Sequence, residues 1–157
     1  RALRPRRLYQ RAVLKRRGIN TRMQNAKCRM QNAECKMRAT MKENAVADKS
    51  FEFAVRIVKL YKYLVQEHKE YVLSKQLLRC GTSIGANIAE AQRGQSKADF
   101  TAKMSIALKE ANETEYWLKL LYRTDYLNQS QYISMNADNQ ELIGILMAIC
   151  RTANIKK

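Results

Sequence analysis

Proline and glycine are scarce in this sequence of 157 residues, which contains one Pro and five Gly. Helix-favouring residues dominate instead, and the scarcity of helix breakers argues against a loop-rich or sheet-based fold. The length suits one domain with a substantial core. No run of about 18 apolar residues occurs, so no membrane-spanning segment is expected. The composition therefore predicts a single all-α domain.

Histidine is almost absent, and this limits the chemistry that the chain can perform. The single His68 lies in a charged segment, where we expect exposure to solvent. Glu110, Glu113 and Glu115 resemble the carboxylates of di-iron bundles, but such sites also need Glu-x-x-His pairs on two helices. Neither a Gly-rich phosphate loop nor an H-E-x-x-H motif is present. We therefore predict no enzymatic activity, no metal site and no cofactor.

The four cysteines lack metal-binding or redox spacing. Cys28 and Cys35 stand seven residues apart without a neighbouring His, whereas Cys80 and Cys150 fall in apolar helical runs. We expect reduced, structural thiols and a cytoplasmic location.

Positive charge is abundant but unevenly distributed. The chain has a formal net charge of +16, which indicates a polyanionic partner. Residues 1–49 hold 15 of the 30 Lys and Arg but only three of the 14 acids, a net charge of +12. Residues 50–157 carry the remaining +4. A nucleic-acid interaction inferred from charge therefore rests mainly on the N-terminal third.

Residues 1–47 form a basic arm in this interpretation. Two similar heptapeptides begin at Met23 and Met30, but each supplies one large apolar residue, too few for a coiled coil. We expect the arm to be disordered or weakly helical. Such a repeat is also typical of a translated tandem DNA repeat. We therefore hypothesise that residues 1–40 lie partly or wholly upstream of the native product, with translation starting at Met37 or Met41.

Residues 48–157 show sustained helical periodicity and form the predicted domain. We expect helices over about 49–67, 73–92 and 97–124, a loop over 125–136, and a fourth helix beyond it. The short connections predict an antiparallel up-down-up-down four-helix bundle. Gly81 and Gly85 are expected to permit a close helix approach, and the S-x-x-D sequence at Ser96 is expected to begin the third helix.

Helix one has an apolar face wider than one bundle seam requires. Phe53, Ile57, Leu60 and Leu64 recur at helical spacing, and a second set lies alongside, namely Ala54, Val58, Tyr61 and Val65. Either the helix is deeply buried, or part of this face contacts another subunit. Helix two carries a polar stripe of Arg79, Ser83, Asn87 and Glu90, which is either solvated or part of a polar network at a helix or subunit contact.

The segment 82–91 reads TSIGANIAEA and is followed by Gly94, Ser96 and Phe100. It resembles the S-x-x-x-N-I-A-E-G motif of the 23S rRNA intervening-sequence protein family, and the resemblance covers about residues 50–155. It implies a four-helix protomer that assembles as a ring-like homopentamer without known catalysis. The superfamily includes the accessory variability determinant of diversity-generating retroelements, which binds nucleic acid and a reverse transcriptase. The motif positions are Ser83, Asn87, Ile88, Ala89 and Glu90.

Two functions remain open from the sequence. One is a nucleic-acid-associated assembly protein, which contacts RNA or DNA nonspecifically through Lys59, Lys62, Arg79, Arg93 and Lys103 if assembly places these cations on a common surface. The other is an interaction scaffold for a reverse transcriptase or another protein. Trp117 and its neighbouring tyrosines are expected to pack within the bundle or at a subunit contact rather than stack on bases.

Overall fold

The computed structural model describes residues 45–155, and the predictions about the arm's conformation, its repeat and its cysteines lie outside these residues. The described chain forms four helices and contains no strand. They are α1 (residues 45–68), α2 (Leu73–Gln92), α3 (Lys97–Arg123) and α4 (Gln129–Ile155). The all-α prediction is confirmed.

Neighbouring helices close into an up-down-up-down bundle. Helix α1 meets α2 where Gly81 lies against Ile57, and α3 packs between α2 and α4. Ion pairs connect α1 back to α4, because Lys49 Nζ lies 2.7 Å from Glu141 Oε1 and Arg56 binds Asp138. Each helix therefore contacts two others, as the short connections predicted.

The core is formed by one seam on each helix. On α1 this inner seam is spaced alternately by four and three residues and is buried throughout; it consists of Val46, Ser50, Phe53, Ile57, Leu60 and Leu64. The opposing helices contribute mainly aliphatic side chains, including Leu77, Ile84, Ile88, Met104, Leu118, Leu121, Leu142 and Leu146. Burial of these apolar surfaces is the main force that holds the helices together.

The predicted loop over 125–136 is wrong for most of its length, because α4 begins at Gln129. Asn128 and Gln131 bond reciprocally across the first turn: Asn128 Oδ1 accepts from the Gln131 N–H at 2.9 Å, and Gln131 Oε1 accepts from the Asn128 N–H at 2.9 Å. This is a capping box made from amides, and it satisfies backbone donors that a helix start leaves unpaired. Helix α1 likewise extends before the expected residue 49, where Val46 joins the core.

The two glycines expected to allow close helix approach differ in their surroundings. A Cβ atom on Gly81 would lie 2.8–2.9 Å from three side-chain carbons of Ile57, whereas one on Gly85 would lie 3.5 Å from the nearest atom, the Ser50 carbonyl oxygen. Only the Gly81 contact is too close for a larger residue. The predicted cap at Ser96 is confirmed, since its Oγ accepts from the Asp99 N–H at 3.1 Å.

Helix α2 begins at a buried carboxylate that the sequence patterns did not reveal. Glu70 accepts hydrogen bonds from the backbone N–H groups of Val72, Leu73 and Ser74 at 2.9, 2.8 and 2.6 Å. Burial raises the pKa of Glu70, but these donors outweigh that effect, and the pKa lies below its usual value. The charged carboxylate therefore stabilises the start of α2.

Candidate assembly and nucleic-acid surfaces

The polar stripe of α2 lies at its contact with α3. Asn87 Nδ2 donates to the Ser83 carbonyl oxygen at 2.9 Å and to Ser83 Oγ at 3.1 Å, and both residues are half-buried. On either side of this pair, charged residues connect the two helices. Arg79 Nη2 lies 3.0 Å from Glu113 Oε1, and Glu90 binds Lys103. The stripe is therefore a polar network along a helix contact rather than an isolated solvated face.

Trp117 extends this network on α3. Its Nε1 donates to the same Glu113 oxygen that Arg79 binds, at 3.2 Å. The indole is partly buried against the core, while the neighbouring Tyr116 is 60% exposed and meets it edge-on. The packing role expected for Trp117 agrees with these contacts. Tyr116 remains accessible.

The other motif residues separate onto two further faces of α2. Ile88 is fully buried in the core, and Ala89 is exposed beside α1. The motif S-x-x-x-N-I-A-E therefore presents three surfaces within two turns: polar groups toward α3, an isoleucine inward and a small residue toward α1. Ile88 is thus the one motif residue of this set that lies in the core.

The five candidate nucleic-acid contacts do not form one patch in a single subunit. Lys59 and Lys62 lie on α1, exposed and without an ion pair to any described residue. Arg79 and Lys103 each bind a carboxylate at the α2–α3 contact. The hydrogen bond and negative charge of Glu90 raise the pKa of Lys103. Arg93 is exposed just after α2.

Lys59 lines an open groove between α1 and the first turns of α4. Polar groups contributed by α4 include Ser130, Gln131 and Ser134, and Ser134 Oγ accepts from Arg56 Nη2 at 2.8 Å. The sequence patterns did not reveal this groove because they assigned the start of α4 to a loop. The N-x-x-Q pattern at Asn128 was the signal that could have revealed it.

A cleft lies on the opposite side of α1, where α1 meets α2. Small residues line most of it, including Ala54, Gly85, Ala86 and Ala89, and Phe51 stands at its edge with 67% of its surface exposed. Asp48 is the one charged residue that lines it. An exposed aromatic side chain beside a cleft of small residues is typical of an interaction surface.

This cleft belongs to a second apolar seam that runs along α1. We call it the outer seam; its members are spaced by four, three, four, three and four residues and consist of Ala47, Phe51, Ala54, Val58, Tyr61 and Val65. Phe51 and Val58 are exposed, and the other four are half-buried. The predicted width of the apolar face of helix one is confirmed, and the other described residues leave part of that face uncovered.

Among the described residues, no three His, Cys, Asp or Glu side chains are grouped as metal ligands would be. Burial raises the pKa of the Cys80 thiol to about 11, so the thiol is protonated and unreactive at neutral pH. His68 is exposed, as expected, and its Nε2 lies 3.1 Å from the Tyr63 hydroxyl. None of the described helices combines the length and apolar character needed to cross a membrane.

Comparisons with known proteins identify one family. The family model described as 23S rRNA-intervening sequence protein matches residues 42–148. A solved structure from Bacteroides thetaiotaomicron, titled as a protein with unknown function from the S23 ribosomal protein family, is 63% identical. The match covers 70% of this chain and 98% of that chain, with a TM-score of 0.69. No curated protein matches the chain.

Proposed function

The chain belongs to the 23S rRNA-intervening sequence protein family, and from this premise we propose that it is a non-enzymatic assembly protein which contacts nucleic acid. In this proposal the bundle forms a ring-like homopentamer in the cytoplasm. Nonspecific contact with RNA or DNA phosphates comes from cations on the surface of the assembly. The family resemblance suggests the ring, and the uncovered surfaces of the subunit suggest how it forms.

The observation that carries the assembly proposal is the outer seam of α1. Phe51 and Val58 are 67% and 36% exposed on one continuous apolar face, although the same helix already supplies a complete inner seam to the core. Exposing such a face to water is unfavourable, and association with another apolar face removes that cost. Light scattering on the full chain at micromolar concentration tests the proposal. A pentamer mass supports it, and a monomer mass overturns it.

The nucleic-acid proposal rests on Lys59 and Lys62, the α1 cations that have no carboxylate partner among the described residues. Unpaired lysines can neutralise phosphates and release counterions, so binding should weaken steeply with salt. Arg79 and Lys103 should contribute less, because phosphate must compete with Glu113 and Glu90 for them.

Fluorescence anisotropy with a short RNA and a matched DNA, measured across a salt series, tests this interaction. The double variant Lys59→Gln, Lys62→Gln should flatten the log–log salt slope by about 0.7 to 0.9 for each phosphate that is no longer neutralised. The control Lys109→Gln, Lys119→Gln removes the same charge from exposed positions on α3. Equal effects of the two double variants would contradict a role for the α1 lysines. A bundle that binds neither probe would favour the alternative function, a protein scaffold or accessory subunit of a reverse transcriptase.

A further inference from the structure

The spacing of the outer seam indicates what kind of surface covers it. Alternating intervals of four and three residues place its members in one line along α1, over about 27 Å between residues 47 and 65 at 1.5 Å per residue. Such a line packs best against another helix, whose side chains fill the spaces between its own. No seam position carries a carboxylate or a basic group. The surface that covers the seam is therefore a largely uncharged helical face.

The adjoining surface of α2 suits the same partner. Three small residues of α2 lie beside the N-terminal part of the outer seam, namely Gly85, Ala86 and Ala89. Their side chains project little beyond the backbone. Small residues allow a second helix backbone to approach closely, so the cleft can accept large side chains from the partner. Phe51 at the cleft edge adds an aromatic group that the partner would cover.

Helix α4 carries an uncharged line of residues that is exposed at both ends. Its positions follow intervals of three, four, three and four residues; they are Ile133, Asn136, Gln140, Ile143 and Met147. Asn136 is half-buried, and Ile143, which is 8% exposed, also packs in the core of its own subunit. Ile133 is 55% exposed and Met147 is 39% exposed. The line extends over about 21 Å, comparable with the outer seam. We call this line the α4 seam.

The two seams lie on different sides of the bundle. On α4, Glu141 and Ser134 contact α1, whereas Asn139 donates to the Ala111 carbonyl oxygen of α3. The helical spacing places Ile133 and Met147 away from the α1 contacts, toward the outer edge of α3 and α4. Within one subunit the outer seam therefore cannot contact the α4 seam. Between two copies, the outer seam of one can contact the α4 seam of the other.

We infer that the outer seam of one subunit packs against the α4 seam of a second copy of this chain, an inference that rests on the proposed self-assembly. The contact joins two different faces, so the first subunit keeps its α4 seam free and the second keeps its outer seam free. Repetition of this contact closes a ring when the successive rotations complete a full turn, as the proposed pentamer requires. The polar positions Asn136 and Gln140 lie between the apolar ends of the α4 seam.

Two charge-introducing variants of the full chain test this pairing. Phe51→Glu places a carboxylate on the outer seam, and Met147→Glu places one on the α4 seam; both side chains are exposed in the subunit, so the fold should tolerate the changes. Ile106→Glu is the matched control, because Ile106 is as exposed as Met147, at 39%, and shares the face of α3 that carries Glu113. Circular dichroism checks folding, and Val58→Glu replaces Phe51→Glu if that variant is unfolded.

Light scattering should find that Phe51→Glu and Met147→Glu are each monomeric, whereas Ile106→Glu assembles like the unaltered chain. An equimolar mixture of the two monomeric variants should form a dimer and nothing larger, because only one intact outer seam can meet one intact α4 seam. Continued assembly of either variant alone, or a mixture that stays monomeric, overturns the seam pairing while leaving self-assembly intact. A monomeric unaltered chain instead overturns the proposed assembly and the pairing with it.

Discussion

Helix α1 carries two apolar seams with the same intervals, displaced by one residue along the chain, and they differ in what covers them. The inner seam holds Phe53, Ile57 and Leu64, which are almost fully buried by the other helices. The outer seam leaves Phe51 and Val58 exposed. Periodicity therefore identifies both seams as packing surfaces. The structure of the subunit is needed to tell which seam packs in the core and which is available to a partner.

Because the inner seam is buried and the outer seam is exposed, similar substitutions in the two seams should change the unfolding free energy by different amounts. To separate subunit stability from assembly, the following substitutions are best made in the Phe51→Glu background, which we expect to be monomeric. Phe51 is 67% exposed, so its replacement should change the folding free energy little.

Leu64→Ala in the inner seam should have the largest effect, lowering the unfolding free energy by about 2–5 kcal/mol, because it leaves a cavity in the core. Val58→Ala in the outer seam should change it by less than about 0.5 kcal/mol. Urea unfolding followed by circular dichroism measures both. Similar losses at the two positions would show that the seams are equally part of the core.

The glycines of α2 sharpen the comparison, because Gly81 lies against Ile57 of the inner seam, whereas Gly85 lies beside Ser50 and lines the cleft next to the outer seam. Gly81→Ala should destabilise the subunit by about 1–3 kcal/mol, since the added methyl group would overlap the buried Ile57 of the inner seam. Gly85→Ala should instead stabilise it by up to about 1 kcal/mol, because the methyl group has ordinary contacts and Ala favours helix. The same urea titration measures the unfolding free energy of both variants. Stabilisation by Gly81→Ala would contradict the close approach of α1 and α2.

The Glu70 cap of α2 makes a pH-dependent contribution to the unfolding free energy, and it involves neither seam. Because the folded pKa of Glu70 lies below its usual value, its contribution is present above about pH 4.3 and is lost as the pH falls through the folded pKa. Glu70→Gln should therefore destabilise the bundle by about 0.5–2 kcal/mol at pH 7 and by less at pH 3.

The exposed neighbour Glu67 supplies the control for this cap, and Glu67→Gln should have little effect at either pH. A Glu70→Gln effect of the same size at pH 7 and pH 3 would show that the charge of the carboxylate is unimportant at the start of α2.

Much of the bundle could be predicted from the sequence, because its signals are local. The bounds of α2 agree with the predicted 73–92, and Ser96 begins α3 as its pattern indicated. The start of α4 could not be found from apolar periodicity, because amide groups on Asn128 and Gln131 define it. Similarly, the carboxylate cap at Glu70 lies two residues before the first N–H group that it binds and outside any periodic pattern.

The candidate surfaces were predictable only in part. The width of the apolar face on α1 was visible in the sequence, but the cleft with α2 depends on which residues of two helices become neighbours. The five candidate cations were chosen by charge alone. Arg79 is paired because the α2–α3 contact brings Glu113 to it, whereas Lys59 on α1 meets no carboxylate among the residues that the structure describes. Such long-range pairings are not encoded in local spacing.

The central claim is that the outer seam of α1 is covered by another copy of the chain. The thermal unfolding temperature measured over a hundredfold range of protein concentration tests it most directly, because association stabilises the folded state by mass action. The unaltered chain should unfold at temperatures that rise by several degrees across this range, whereas Phe51→Glu should unfold at one temperature throughout. An unaltered chain whose unfolding temperature is independent of concentration, or a Phe51→Glu variant with the same dependence as the unaltered chain, would contradict the claim.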